Sequence, residues 1–412
     1  MPMPAVADMF SPLSATQRRF VDTVRALGPE FQRRGFANDD EAKFPVENYA
    51  DLKRHKLHAV NIPSRYGGLG GNYLDYGVFS AELARWDGAT ALTFNMHAAT
   101  MMWSSVIVDD FDLPADQKKR HEANRAIIYD KVVNEGAIFA QPFSEPNSAA
   151  AAGKAPFGTA AKRVDGGYLI SGMKHFASLS GYADYYAVVC TEEDKDGMHD
   201  VKNTILVAVP AKTNGVKVFG GWDVLGMRAT DSRSLDFKDA FVPDENLLMP
   251  PGIYYQAALK WPHMFVSLTP SYLGISQAAF DFTVAYLRGE VEGAPPAGAA
   301  RHSPAKQMAI AEMRIKLEQS KALWWRIMHE ARLNPSKEDR LRAYITQYTV
   351  MENANDICRL GLRVCGGRSI FKNFLIERLY RDSRCGSLML PWTAEICLER
   401  LGRESLFEAG EK

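Results

Sequence analysis

The chain has 412 residues, of which 46% are apolar and 24% charged. That length allows two or three domains around a large core, and the balance is that of an ordinary globular protein. Lys plus Arg and Asp plus Glu are 49 each, so the net charge is zero. A nucleic-acid partner is therefore not expected, because polyanion binders carry a basic excess.

The five cysteines, Cys190, Cys358, Cys365, Cys385 and Cys397, are scattered and include no CxxC pair. An odd set without metal spacing predicts reduced thiols and a cytoplasmic protein. The first residues show no basic segment followed by an apolar run, so no secretory signal is expected. No apolar stretch nears the roughly 18 residues of a membrane span.

In chain order, Ser14-Ala-Thr-Gln17 reads as a capping box before Phe20, Val21, Val24 and Leu27, which recur at helical spacing. Tyr76 to Trp103 is a second long run of apolar and small residues. Between them, Tyr66-Gly-Gly-Leu-Gly-Gly71 reads as a loop of tight turns, because no strand leads into it as a phosphate-binding fingerprint requires.

From about residue 136 the texture changes. Tyr168-Leu-Ile-Ser-Gly172, Tyr185-Tyr-Ala-Val-Val-Cys190 and Thr204-Ile-Leu-Val-Ala-Val209 are short β-rich runs punctuated by Gly, Asp and Pro. That pattern predicts antiparallel strands joined by turns, with an exposed hairpin tip at Asp194–Asp200. From about residue 250 helical periodicity returns: Ile310, Met313, Leu317, Ser320, Trp324 and Ile327 form one face. A Gly-, Ala- and Pro-rich loop from Arg288 to Pro304 separates two of these helices. The reading is an α+β chain: a helical domain at 1–135, an antiparallel β domain at 136–248, and a helical bundle of four helices at 249–412.

Four runs stand in an informative order: Phe139-Ala-Gln-Pro-Phe-Ser-Glu-Pro146, Gly172-Met-Lys-His-Phe-Ala-Ser-Leu-Ser-Gly-Tyr-Ala-Asp184, Gly226-Met-Arg-Ala-Thr-Asp-Ser232 and Tyr380-Arg-Asp-Ser-Arg384. Their order and spacing resemble the acyl-CoA dehydrogenase superfamily over nearly the whole chain. The resemblance implies a flavin, FAD with FMN as the alternative. A flavin ring needs hydrogen-bond partners along its edge and a flat apolar wall. Gln141, Phe143 and Ser144 would serve one edge through backbone N–H groups and the Ser144 hydroxyl. Phe176 takes the place of the family's ring-packing aromatic. Ser178, two residues on and so on the same strand face, would bond near N5.

For the rest of the cofactor, the family's Arg-x-x-Phe-Gly clamp is missing, and Arg288 and Arg301 flank the divergent loop as candidate phosphate partners. Gly366-Gly-Arg-Ser369 matches the family's turn beside the adenine, with Gly367 open to close approach and Arg368 a further cation. Thr393 matches a family threonine near the flavin.

The family's catalytic carboxylate is absent. Its Tyr-Glu-Gly-Thr turn is replaced by Leu388-Met-Leu-Pro-Trp-Thr393, and Glu395 matches a later helical residue. Relatives that carry the base ahead of the run Leu273-Gly-Ile-Ser-Gln-Ala278 point to Met264, with His263 adjacent. His263 is one candidate base and His97, on a helix that would line the acyl pocket, is the other. The resemblance thus implies an oxidoreductase that desaturates an acyl-CoA or other acyl thioester and passes electrons to an acceptor. Two alternatives stand beside it: an oxygenase on the same fold that uses O₂, and a catalytically degenerate partner subunit. It also implies a homodimer or homotetramer.

Overall fold

A computed structural model describes residues 7–147, 149–150, 155–194, 199–296, 298–407 and 411. Five helices come first: α1 (Ala15–Asp40), α2 (Val46–Arg54), α3 (Tyr73–Trp86), α4 (Gly88–Met102) and α5 (Ala115–Val133). Seven strands follow: β1 (Phe139–Ala140), β2 (Ala160–Val164), β3 (Gly167–Ala177), β4 (Tyr185–Glu193), β5 (His199–Pro210), β6 (Val216–Phe219) and β7 (Arg233–Pro243). Six helices close the chain: α6 (Ile253–Lys260), α7 (Thr269–Leu287), α8 (Pro304–Glu330), α9 (Lys337–Cys365), α10 (Leu375–Cys385) and α11 (Ala394–Leu406).

Local chemistry explains the boundaries. Ser14 and Gln17 exchange side-chain and backbone bonds as a capping box at the start of α1. The apolar run from Tyr76 to Trp103 is two helices, because Asp87 turns extended and caps the Thr90 amide. In the loop before α3, a Cβ on Gly68 would stand 2.1 Å from the Ile62 carbonyl oxygen, so only glycine fits. The expected face of α8 is buried at Met313, Leu317, Ser320, Trp324 and Ile327, with Ile310 half-buried.

The sheet is mostly antiparallel. Its order is β1-β4-β2-β3-β7-β6, with β5 on the other side of β4. β4 runs parallel to β1 at one end and to β2 at the other, and antiparallel to β5. Alternate residues explain its unbroken apolar run: Tyr186, Val188 and Cys190 enter the core of the sheet domain, while Ala187 and Val189 join the core shared with the helices. Residues 195–198 of the expected hairpin tip lie outside the described residues. α7, α8, α9 and α10 pack side by side, and α7 also lies along α3, so the first and last helical regions share one core. All five cysteines are free, and burial pushes their thiols up to about 12. No helix among the described residues is long and apolar enough to cross a membrane.

Two of the four sequence runs meet as a joint between domains. Asp382, on α10, accepts the Met227 amide at 2.5 Å, and the Arg381 guanidinium reaches the Leu225 carbonyl at 3.1 Å. Arg381 also holds Asp39 of α1, and Arg228 bonds the Asp39 carbonyl. Gly226 must be glycine, since a Cβ would stand 2.2 Å from the Arg381 carbonyl oxygen. Burial pushes the Asp382 carboxyl up to about 7, with Arg378 and the Met227 amide opposing. The folded state therefore binds more protons than the unfolded chain between about pH 4 and pH 7, so this group makes stability fall as pH rises through that window. Asp382→Asn keeps the acceptor and has no carboxyl to ionise. Urea unfolding at a series of pH values will show a shallower loss of stability between pH 4 and 7 in Asp382→Asn; an unchanged slope rejects the assignment.

Candidate active site

The segment after β1 is tied to β3 by one buried ion pair. The Lys174 ammonium, fully buried, donates to Glu145 Oε1 at 2.8 Å. The same carboxylate accepts from the Gly158 amide (2.7 Å), the Thr159 amide (2.9 Å) and the Thr159 hydroxyl (2.6 Å). Burial pushes the Glu145 carboxyl up, but Lys174 and these donors outweigh it and hold the group below its ordinary value. Burial pulls the Lys174 ammonium down, and Glu145 opposes that. Next to this pair the His175 amide donates to the Ser144 carbonyl at 2.8 Å. Ser144 is thus fixed against His175 of β3. The Gln141 side-chain nitrogen on this segment is buried without a hydrogen-bond partner. An orphaned donor there is what an absent ligand would satisfy. Ser148 lies outside the described residues.

Phe176 and Ser178 do not share a strand face. The pairing of β3 with β7 slips between Lys174 and Ala177, and Phe176 sits at φ 54°. This bulge turns the Phe176 ring out, 66% exposed, against Trp222 at 6.2 Å, while Ser178 is buried beyond the end of the strand. A left-handed aromatic residue is strained, and such strain marks functional positions.

The Ser178 hydroxyl heads a one-way chain. Thr230 donates its only hydroxyl proton to the Met227 carbonyl at 2.8 Å. Ser232, 2.8 Å from Thr230, must then donate to it, and Ser178, 2.8 Å from Ser232, must donate in turn. Ser178 is left with lone pairs alone, so it can serve a ligand only as an acceptor. Sequence spacing did not reveal this, because Ser232 and Thr230 lie more than fifty residues away.

The other expected cofactor residues gather elsewhere, at one end of the helical bundle. Arg288 caps the end of α7, Arg301 lies in the short turn before α8, and Gly366, Gly367 and Arg368 follow α9. Leu287, Val364 and the half-buried Ala300, neighbours of these residues, pack in one small cluster. All three arginines are exposed, and a Cβ on Gly366 or Gly367 would meet nothing. The Thr393 hydroxyl caps α11 by accepting the Ile396 amide at 3.3 Å.

A cavity of about 350 Å³ opens between the Ser144 segment and the last helices. Phe143, Phe157, Tyr254, Phe265, Tyr344 and Trp392 supply much of its wall, and Arg340 and Arg400 also line it. Among the described lining residues there is no carboxylate, histidine or cysteine. Pro391 and Trp392, from the turn that replaces the family's Glu, are part of this wall.

Neither candidate histidine lies in that wall. His97 accepts the Phe139 amide at Nδ1 (3.1 Å), so its Nε2 carries the proton and donates to the His58 carbonyl at 2.7 Å. Burial lowers its pKa to about 3. With both nitrogens committed the ring clamps the α4 helix to β1 and has no lone pair for a substrate. His263 is fully buried in the turn Pro262–Val266, and neither ring nitrogen has a partner. Burial lowers it to about 4. It is neutral at pH 7, and its neighbours Pro262 and Phe265, not His263, reach the cavity.

The residues fit a flavin at the sheet face: an orphaned amide at Gln141, acceptor lone pairs at Ser178, and an exposed ring at Phe176. If the ion pair positions this face, Lys174→Met leaves Glu145 buried without its cation and costs about 3–5 kcal/mol in urea unfolding. Lys174→Met combined with Glu145→Gln recovers part of that loss. Wild-type stability in the single variant refutes the arrangement.

Three domain models match the chain: the acyl-CoA dehydrogenase N-terminal domain over residues 14–109, the middle domain over 140–240 and the C-terminal domain over 263–406. The Bacillus subtilis (strain 168) protein YdbM, named as an acyl-CoA dehydrogenase, is 25% identical over 94% of this chain and 97% of its own. The structure of KijD3 with FMN and a dTDP-linked amino-keto sugar superposes with a TM-score of 0.82 at 22% identity, covering 99% of this chain and 98% of that one. FMN-bound TdsC from Paenibacillus sp. A11-2 gives a TM-score of 0.79 at 22% identity over 94% and 97%, and another structure of TdsC is titled as a dibenzothiophene monooxygenase. With all three of its domains matched in order, the chain belongs to the acyl-CoA dehydrogenase family.

Proposed function

We propose that this protein is a flavin-dependent oxygenase built on the acyl-CoA dehydrogenase fold. The observation that carries the reading is the cavity wall, which holds no carboxylate, histidine or cysteine among its described residues to remove a substrate proton. Dehydrogenation of an acyl thioester starts by taking the proton α to the carbonyl, and a positioned base contributes about 10²–10⁴ to such a step. Leu390, Pro391 and Trp392 cannot supply it. His97 has no free lone pair, and His263 does not reach the cavity.

When bound, reduced flavin supplies two electrons to O₂, so that one oxygen atom enters the substrate and the other leaves as water. The chain's own part is to hold and exclude. Gln141 and the Ser144 segment would bond one edge of the ring, Phe176 would form its apolar wall, and Ser178 would accept a hydrogen bond. Phe143 and Trp392 keep water from the cavity. The phosphate end falls to Arg288, Arg301, Gly366, Gly367 and Arg368. These lie on the bundle end, apart from the sheet face, which supports a shared site in a homodimer or homotetramer in which a second copy completes the cofactor. FAD would span such a site. The curated relatives' names favour a second reading, acyl-CoA dehydrogenation with electrons passed to another acceptor.

Anaerobic mixing separates the two. The flavin-loaded protein should keep its visible absorbance when butyryl-CoA or isovaleryl-CoA is added without oxygen. The reduced protein should then take up oxygen and convert indole, or a similar ring compound, to a hydroxylated product. Bleaching by the acyl-CoA esters would reject the oxygenase reading. Phe176→Ala removes an exposed ring, so its stability should stay within about 0.5 kcal/mol of the parent. Its flavin retention should fall about tenfold or more, measured by absorbance after gel filtration; undiminished retention would remove Phe176 from the site.

A further inference from the structure

The hydroxyl chain behind Ser178 has a direction that neither reading of the chemistry requires. We propose that Ser178 faces the flavin nitrogen that gains a proton on reduction, and that Thr230 and Ser232 set the flavin's redox potential by fixing where the Ser178 proton points. This rests on a flavin at the sheet face, which both readings share, and not on the fate of oxygen or of a thioester.

The direction is imposed at the far end. The Met227 carbonyl has lone pairs and no proton, and the groups that bond it among the described residues are donors. They are the Thr230 hydroxyl at 2.8 Å, the Thr230 amide at 3.1 Å and the Trp222 indole N–H at 3.2 Å. Asp382 holds the same peptide in place through the Met227 amide. With the Thr230 proton on the carbonyl, Ser232 donates to Thr230 and Ser178 donates to Ser232, each across 2.8 Å. Backbone bonds keep the hydroxyls aligned: the Leu179 amide donates to the Thr230 carbonyl and the Ser180 amide to the Asp231 carbonyl, both at 3.1 Å. Thr230 is 1% exposed, Ser232 5% and Ser178 6%, so bulk water does not compete for these protons.

Hydrogen bonds to the ring nitrogens are one means by which a protein tunes a flavin. The oxidised ring offers lone pairs at N1 and N5 and a single N–H, at N3. Reduction by two electrons puts a proton on N5 and turns that nitrogen into a donor. A hydroxyl with only lone pairs to offer repels N5 before reduction and accepts from it afterwards. Ser178 therefore holds the reduced ring more tightly than the oxidised one, which raises the potential. A hydroxyl free to turn would serve both states and leave the potential lower. The difference is worth one hydrogen bond, about tenfold in relative affinity. For a two-electron couple that is about 30 mV.

The midpoint potential of the flavin-loaded full chain tests this without turnover. An anaerobic, dye-equilibrated titration uses dithionite to supply the electrons, while water supplies the proton. Thr230→Val keeps the shape of the side chain, releases the Ser232 proton and lets Ser178 turn, so the potential should fall by about 30 mV, the tenfold loss. Thr230→Ser restores the hydroxyl and should match the parent. Ser178→Ala, at the open end of the chain, should also lower the potential, and Thr230→Val added to it should change nothing further. A merely structural role would move the thermal midpoint without this order of potentials. An unchanged potential in Thr230→Val or in Ser178→Ala, with flavin retained, overturns the proposal, as does a fall that persists in Thr230→Ser. A parent chain that takes up neither FAD nor FMN overturns the flavin reading itself; bound flavin with an unmoved potential overturns this inference alone.

Discussion

The buried pairing of Glu145 with Lys174 fixes how the segment after β1 meets β3. Placing two charges out of water is costly, and the structure offsets that cost by giving the carboxylate three further donors at Gly158 and Thr159. What the pair secures is register. Ser144 precedes Glu145, and Phe176 lies two residues beyond Lys174, so one ion pair sets the distance between the two halves of the proposed flavin face. Hydrophobic packing alone would let the segment slide, because apolar contacts have no preferred partner.

The same logic operates between domains. Asp39, Arg228, Met227, Arg381 and Asp382 interlock at the point where the first helices, the sheet domain and the last helices meet. A backbone amide can be satisfied by only one geometry, and Gly226 lets the α10 carbonyls come close enough to provide it. The joint holds the cavity walls in place, since Phe143 belongs to the sheet side and Trp392 and Tyr344 to the bundle. The hydroxyl chain from Ser178 to the Met227 carbonyl runs into the same joint, which couples the flavin face to domain packing.

On the proposed reading, the fold keeps its flavin site and gives up one reaction. Where the family carries its carboxylate, Pro391 and Trp392 add apolar surface to the cavity wall instead. His97 illustrates a different economy: an imidazole on a helix beside the site serves as a two-ended clamp, because burial makes the neutral ring the stable form and both its nitrogens find backbone partners.

The order of helices, strands and helices was legible in the chain itself, because apolar spacing and turn residues act locally. The capping box at Ser14, the glycine turns after Tyr66 and the buried face of α8 all follow from neighbours within a few residues. Asp87 was missed as a helix break because its apolar flanks continue the helical spacing. The motif runs likewise singled out Ser144 and Phe176, which belong to the proposed flavin face. Tertiary structure decided the rest. Strand alternation put Phe176 and Ser178 on one face, and a bulge in the pairing with β7 separated them. The family resemblance offered His97 and His263 as bases, and partners far along the chain, or their lack, settled each ring's state. Ser178 meets Ser232 and Thr230 across more than fifty residues, so no local pattern announces their chain. Hydrogen-bond direction, burial and the meeting of distant charges are properties of contacts, and contacts exist only once the chain has folded.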